Sequence, residues 1–225
     1  MLAENDRIFS MDEMIFVDKP SGMTSFGAVA RVRRILSEHE GHRVKVGHTG
    51  TLDPFATGLL ILLAGKATKR APELTKKDKV YEATIRLGET STTGDPEGEI
   101  SSTGAELPSR EKIEEVVASF VGKIQQTPPA FSAIKINGQR AYKLARAGKE
   151  VELPSREVEI YSLEVLDYSA PELKIRTHVS SGTYIRTLAE DIGKALGCGA
   201  YTSALRRTQI AEYCLDELPL FELPD

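Results

Sequence analysis

One carboxylate, Asp53, stands in a run of unusual composition: Gly47-His48-Thr49-Gly50-Thr51-Leu52-Asp53-Pro54-Phe55-Ala56-Thr57-Gly58. Glycine permits backbone conformations closed to other residues and lets a second molecule come close. Proline fixes the chain direction immediately after the acid. A rigid turn of this kind is a good place to aim a reactive side chain. A structural turn whose aspartate caps a backbone amide has the same local signature, so the run alone leaves both readings open. Arg186 is the cation to set against the acid. It falls in the first turn of an expected helix, where a positive charge opposes the helix dipole and a nearby anion helps to hold it. Asp53 is the anion nominated. Tyr81 opens an alternating strand-like run, with its ring packed behind and open in front, or simply buried in a core. Asp95, in Thr93-Gly94-Asp95-Pro96-Glu97-Gly98, is the second carboxylate that a glycosidase would require, or an Asx-turn.

Other chemistries lack their residues. His39-Glu40-Gly41-His42 has no metal-ligand spacing and reads as an exposed loop. Gly65-Lys66-Ala67-Thr68 is not a phosphate-binding loop: the first glycine would fall at Leu60, and Ala67 replaces the hydroxyl residue. Cys198 and Cys214 form no metal or redox motif, which fits a reduced cytoplasmic setting. The opening residues are polar and no apolar run reaches spanning length, so neither a signal peptide nor a membrane partner is expected. The formal net charge of −4 does not announce a nucleic-acid partner. Its distribution is more telling, with eleven Lys/Arg against five Asp/Glu between Arg31 and Lys79, and five acids with no base from Ala211 onward.

The elements that must position these groups follow from periodicity. Met14–Val17, Arg43–Val46, Leu59–Ala64, Lys79–Leu87, Val158–Val165 and Leu173–Val179 read as strands. Helices are expected after Thr24-Ser25, with Phe26, Val29, Val32 and Leu36 on the apolar side, and over Ser109–Val121. A third starts near Tyr184, its apolar face Ile185, Leu188, Ala189, Ile192 and Leu196. Lys66–Leu74 reads as a short basic helix, and Asn137-Gly138 as a hairpin turn. The run Arg140–Lys149 carries four bases, no acid and one aromatic.

The wording of these segments resembles the TruB family of RNA pseudouridine synthases. G-H-T-G-T-L-D-P-x-A-T-G matches that family's catalytic motif, and D-K-P-x-G-M-T-S (from Asp18), K-x-Y-E-A (from Lys79), T-G-D-P-x-G (from Thr93) and G-T-Y-I-R-T (from Gly182) follow in the family's order. The resemblance runs from about Met14 to Arg207. It implies an α+β pseudouridine synthase fold, a mixed, largely antiparallel sheet with flanking helices and a thumb insertion at about 124–152. It implies isomerisation of the uridine at position 55 in the T-loop of tRNA, without cofactor or metal: uracil leaves C1′, rotates and rejoins through C5.

By the same resemblance Asp53 is the nucleophile, Arg186 its partner, and Tyr81 the ring that stacks on the everted base. His48 fills the gap that the base leaves, and Tyr184 and Leu205 complete the pocket. Asp95 joins the surrounding hydrogen-bond network, and Lys19 lies beside the cleft. Arg206 and Arg207 are expected at phosphate. The partner implied is the T-arm stem-loop of tRNA, met by a monomer. One catalytic domain over 1–225 is expected, because too few residues follow Arg207 for the family's small RNA-binding PUA-like domain. A non-catalytic tRNA-binding or folding role in the same cleft is the alternative.

Overall fold

A computed structural model describes residues 12–132, 134–136, 138–147 and 153–223. The chain forms two compact units, Met1–Lys76 with Tyr213–Asp225, and Lys77–Glu212.

The first unit contains strands β1 (Met14–Lys19), β2 (Val46–His48) and β3 (Thr57–Ala64) and helices α1 (Ser25–Glu40) and α2 (Ala71–Thr75). A 3-10 turn, Gly65–Arg70, leads into α2, so the basic stretch expected as one helix is divided in two. β3 pairs antiparallel with β1, Met14 opposite Leu63 and Lys19 opposite Gly58, and with β2, His48 opposite Leu62. Every residue of β3 after Thr57 is buried, which is why it reads as an unbroken apolar run rather than an alternating one. α1 starts at Thr24, whose hydroxyl accepts from the Gly27 amide at 2.9 Å. It stops at Gly41, whose φ of 69° is the left-handed conformation that favours glycine. Ala28, Val29, Val32 and Leu36 bury against Ile15, Val17, Leu60 and Leu62. Phe26 does not join them. It is 65% exposed, with the Arg33 guanidinium 5.8 Å from its ring centroid. The buried stripe runs through Ser25, Ala28, Val29, Val32 and Leu36, and Phe26 lies about a quarter-turn off it. The His39–His42 segment is the helix end rather than a free loop, with His42 Nδ1 3.1 Å from the Glu40 carbonyl.

The second unit is built on strands β4 (Lys79–Leu87), β5 (Glu89–Ser91), β6 (Ile100–Ser102), β7 (Gly122–Gln126), β8 (Lys135–Ile136), β9 (Gln139–Arg140), β10 (Arg156–Ser169), β11 (Glu172–Val179) and β12 (Ala200–Ile210). Helices α3 (Arg110–Ser119), α4 (Ala141–Arg146) and α5 (Ile185–Ala195) complete it. Its main sheet has the order β12-β4-β11-β10-β7, antiparallel throughout. β4 alternates without a break, with Lys79, Tyr81, Ala83, Ile85 and Leu87 buried. α5 packs on β12 and β4, and α3 on β10 and α5. Gly193 lets α5 approach closely, since a Cβ there would collide with the Ala200 amide and the Gly199 backbone.

β5 and β6 form a separate hairpin around Thr93–Gly98. β8 and β9 form another in the insertion between β7 and β10, Lys135 opposite Arg140. Asn137 of the expected hairpin turn, and Gly148 and Lys149 of the basic run, lie outside the described residues, as does the polar opening Met1–Arg7. Among the described residues no helix is long and apolar enough to cross a membrane.

Candidate active site

In the first unit the Asp53 turn is held by the segment that links β1 to α1. Lys19 has no solvent exposure, and its ammonium donates to the carbonyls of Pro20 (2.8 Å), Met23 (2.8 Å) and Pro54 (3.1 Å). The Gly22 amide donates to the same Pro54 carbonyl at 2.8 Å, and the Ser21 hydroxyl donates to the Phe55 carbonyl at 2.9 Å. The buried Ser25 hydroxyl accepts from the Leu52 amide at 2.8 Å and lies 2.9 Å from the Leu52 carbonyl. The Ala56 amide closes the turn on the Asp53 carbonyl at 3.2 Å. The D-K-P-S-G-M-T-S segment therefore clamps residues 52–55 from outside, leaving Asp53 itself half-buried. Ser21 and Ser25 are clamp residues that pattern reading passed over, because nothing local ties them to a loop about thirty residues away. His48, also half-buried, ends β2. Thr49 follows it, fully enclosed, with its amide on the Ile61 carbonyl at 3.1 Å.

In the second unit Tyr81 sits on the buried face of β4, directly opposite Thr177 of β11 and Arg207 of β12. Leu205 lies opposite Ala83, so Tyr81, Leu205 and Arg207 share one face of the sheet. Arg207 is 1% exposed. It flanks the tyrosine rather than facing solvent, contrary to the expectation of a phosphate contact. The two-residue period from Leu205 was the signal that could have found it. Arg206 pairs in register with Glu82 and belongs to the opposite face. Lys79, buried one pleat from Tyr81, has its pKa pushed down to about 8, first by burial, then by the Arg207 charge, with Asp78 opposing.

Arg186, in the first turn of α5, is buried with Asp95 as an ion pair, 3.1 Å from Nη1 to Oδ2, their side chains 3% and 5% exposed. The same Nη1 donates to the Thr93 carbonyl at 2.8 Å, and Nη2 to the Phe131 carbonyl at 2.8 Å. Asp95 also accepts on Oδ1 from the Thr93 hydroxyl (2.6 Å) and the Glu97 amide (3.0 Å). Both readings of Asp95, the Asx-turn and the network member, thus describe the same side chain. Its two oxygens are engaged by an arginine and two further donors. Gly94 (φ 71°) bends the turn, and its carbonyl accepts from the Thr202 amide at 3.0 Å, tying the loop to β12. Tyr184, half-buried, is the N-cap residue of α5, and the Arg156 guanidinium lies 5.2 Å over its ring. Among the described residues no group of three His, Cys, Asp or Glu is placed to hold a metal ion.

Comparison with known proteins adds an independent observation. The family model described as TruB family pseudouridylate synthase (N-terminal domain) matches residues 33–185, and that of the tRNA pseudouridylate synthase B C-terminal domain matches 186–225. The chain is 50% identical to tRNA pseudouridine synthase B of Parabacteroides distasonis, covering 92% of this chain and 89% of the relative. With the Bacteroides fragilis protein of that name identity is 47%, covering 96% of each. With the Dechloromonas aromatica protein it is 50%, covering 90% of this chain and 66% of that longer relative. Among solved structures, a Cbf5-Nop10-Gar1 complex superposes with a TM-score of 0.69 at 33% identity, over 90% of this chain and 51% of the matched one.

Proposed function

Since the chain belongs to the TruB family of pseudouridylate synthases, we propose that it converts the uridine at position 55 in the T-loop of tRNA to pseudouridine, acting in the cytoplasm as a monomer on the T-arm. The observation that carries this reading is the Asp53 turn, a half-buried carboxylate in a loop clamped by Lys19, Ser21, Gly22 and Ser25. Such clamping is how a protein aims one reactive side chain.

The chemistry then runs as follows. The target nucleotide swings out of its loop at a cost of a few kcal/mol. Its base stacks on Tyr81, which returns about 1–3 kcal/mol, between Leu205 and Tyr184. His48 occupies the place the base vacates. The Asp53 carboxylate attacks the nucleotide, the C1′–N1 bond breaks, and the uracil turns. A C1′–C5 bond forms, the bond from the nucleotide to the Asp53 oxygen breaks and returns the free carboxylate, C5 releases its proton, and N1 gains one. Atoms and electrons balance, with no outside reactant. Arg186 supplies positive charge for the carboxylate, and Asp95 keeps the guanidinium oriented.

Incubation with uridine-labelled tRNA tests the reading. Pseudouridine is expected from the wild-type protein, and none from Asp53→Asn, which still binds tRNA. Pseudouridine from Asp53→Asn would remove the nucleophile assignment. Free uracil would indicate a glycosidase, and bound but unchanged tRNA a folding protein.

A further inference from the structure

The insertion between β7 and β10 does not leave the sheet independently of α5. Among the described residues, both of its roots and one backbone carbonyl within it reach the same short segment, Gly182–Arg186. Gln126, the last residue of β7, is 1% exposed, and its amide is spent on one residue's backbone. Nε2 donates to the Tyr184 carbonyl at 3.0 Å, and Oε1 accepts from the Tyr184 amide at 2.7 Å. Arg156, the first residue of β10, is Gln126's register partner. It donates to the Gly182 carbonyl and places its guanidinium over the Tyr184 ring. Five residues beyond Gln126, the Phe131 carbonyl accepts from Arg186 Nη2.

Tyr184 needs such support. It caps α5 in an extended conformation (φ −101°, ψ 114°) without a side-chain cap of its own. Its carbonyl already accepts from the Leu188 amide at 3.0 Å, so the Gln126 amide adds a second bond there and takes the one remaining backbone donor. A leucine or methionine at 126 could fill the same volume but could hold neither group. Burying an amide is costly unless both ends are matched. Here both are matched on the residue that fixes the start of the helix bearing Arg186. Gln125 points the other way and is exposed.

We infer that Gln126 is a positioning residue for catalysis: its two-point grip on the Tyr184 backbone sets where α5 begins, and so where the Tyr184 ring and the Arg186 guanidinium stand during the reaction. This rests on the proposed pseudouridine synthase activity.

The experiment compares full-length wild type, Gln126→Met, Gln126→Glu and the neighbour Gln125→Met by steady-state and single-turnover pseudouridine formation on tRNA, with the Tm of each. Wild-type turnover is the first reading, and its absence would strike the proposed activity rather than Gln126. Given turnover, Gln126→Met is expected to lower kcat and the single-turnover rate about 10- to 100-fold, with KM within about threefold and a folded melting transition at the assay temperature. Gln125→Met stays at the wild-type rate. Gln126→Glu regains activity relative to wild type as pH falls, because a protonated carboxyl restores one acceptor and one donor. That recovery decides the matter should Gln126→Met not fold. A Gln126→Met kcat within twofold of wild type overturns the inference. So does a loss confined to KM, or a Gln126→Glu rate that keeps a fixed ratio to wild type across pH.

Discussion

Arg186 shows how much one side chain is asked to do. Its Nη1 serves the Thr93 carbonyl and Asp95, and its Nη2 serves Phe131. A lysine carries the same charge at a single point and cannot span acceptors set at fixed angles. Arg186→Lys is therefore expected to lower kcat by roughly 100-fold, read by single-turnover pseudouridine formation; near-normal turnover would remove the arginine from the mechanism. Lys79 makes a prediction of another kind. Its folded pKa of about 8 lies below the ordinary lysine value of 10.5. Between those values the unfolded chain binds more protons, so the penalty for burying the ammonium is full below pH 8 and fades as pH rises. The stability of wild type relative to Lys79→Met should climb by about 1 kcal/mol between roughly pH 7.5 and 10, a figure already reduced for the ammonium's residual exposure. Urea titrations at both pH values measure it, and a flat difference would mean the ammonium is not strained.

At the scale of elements, close approach of α5 to β12 is what carries Tyr184 and Arg186 to their places. The helix buries Ile185, Leu188, Ala189 and Ile192. Gly193 stands where a methyl group would strike the Ala200 amide and the Gly199 backbone, neither of which can swing aside. Gly193→Ala should thus cost about 1–3 kcal/mol despite alanine's better helix propensity. Chemical denaturation checks this, and a neutral or stabilising result would mean the helix can shift along the sheet. The clamp on the Asp53 turn is the corresponding device in the first unit. It joins the β1–α1 connection to a loop that local sequence describes only as a tight turn.

For the whole molecule the net charge of −4 is a poor guide to partners. Arg34, Arg43, Lys45, Lys66, Lys69, Arg70 and Lys76 are all exposed, while the last residues are acidic. If basic side chains meet tRNA phosphates, binding must release counterions. The Kd for tRNA should then rise about 10- to 100-fold as monovalent salt goes from about 50 to 200 mM. A filter-binding or fluorescence titration with Asp53→Asn would measure it. Salt-independent binding would place the affinity in base contacts instead.

The strands and long helices were legible because their signals are local. The period of β4, the apolar run of β3 and the caps of α1 each depend on residues a few positions apart. Asp53, Tyr81 and Arg186 stood out by wording, which is also local. Phe26 misled for the same reason: its spacing suits an apolar stripe, but the core of the first unit lies along the neighbouring one. What the chain's order could not disclose are the partners brought from afar. Asp95 meets Arg186 across 91 positions, Gln126 meets Tyr184 across 58, and Ser25 meets Leu52 across 27. Each is a polar group whose partner is chosen by where packing leaves it buried, and burial of an unmatched donor or acceptor is what makes that choice binding.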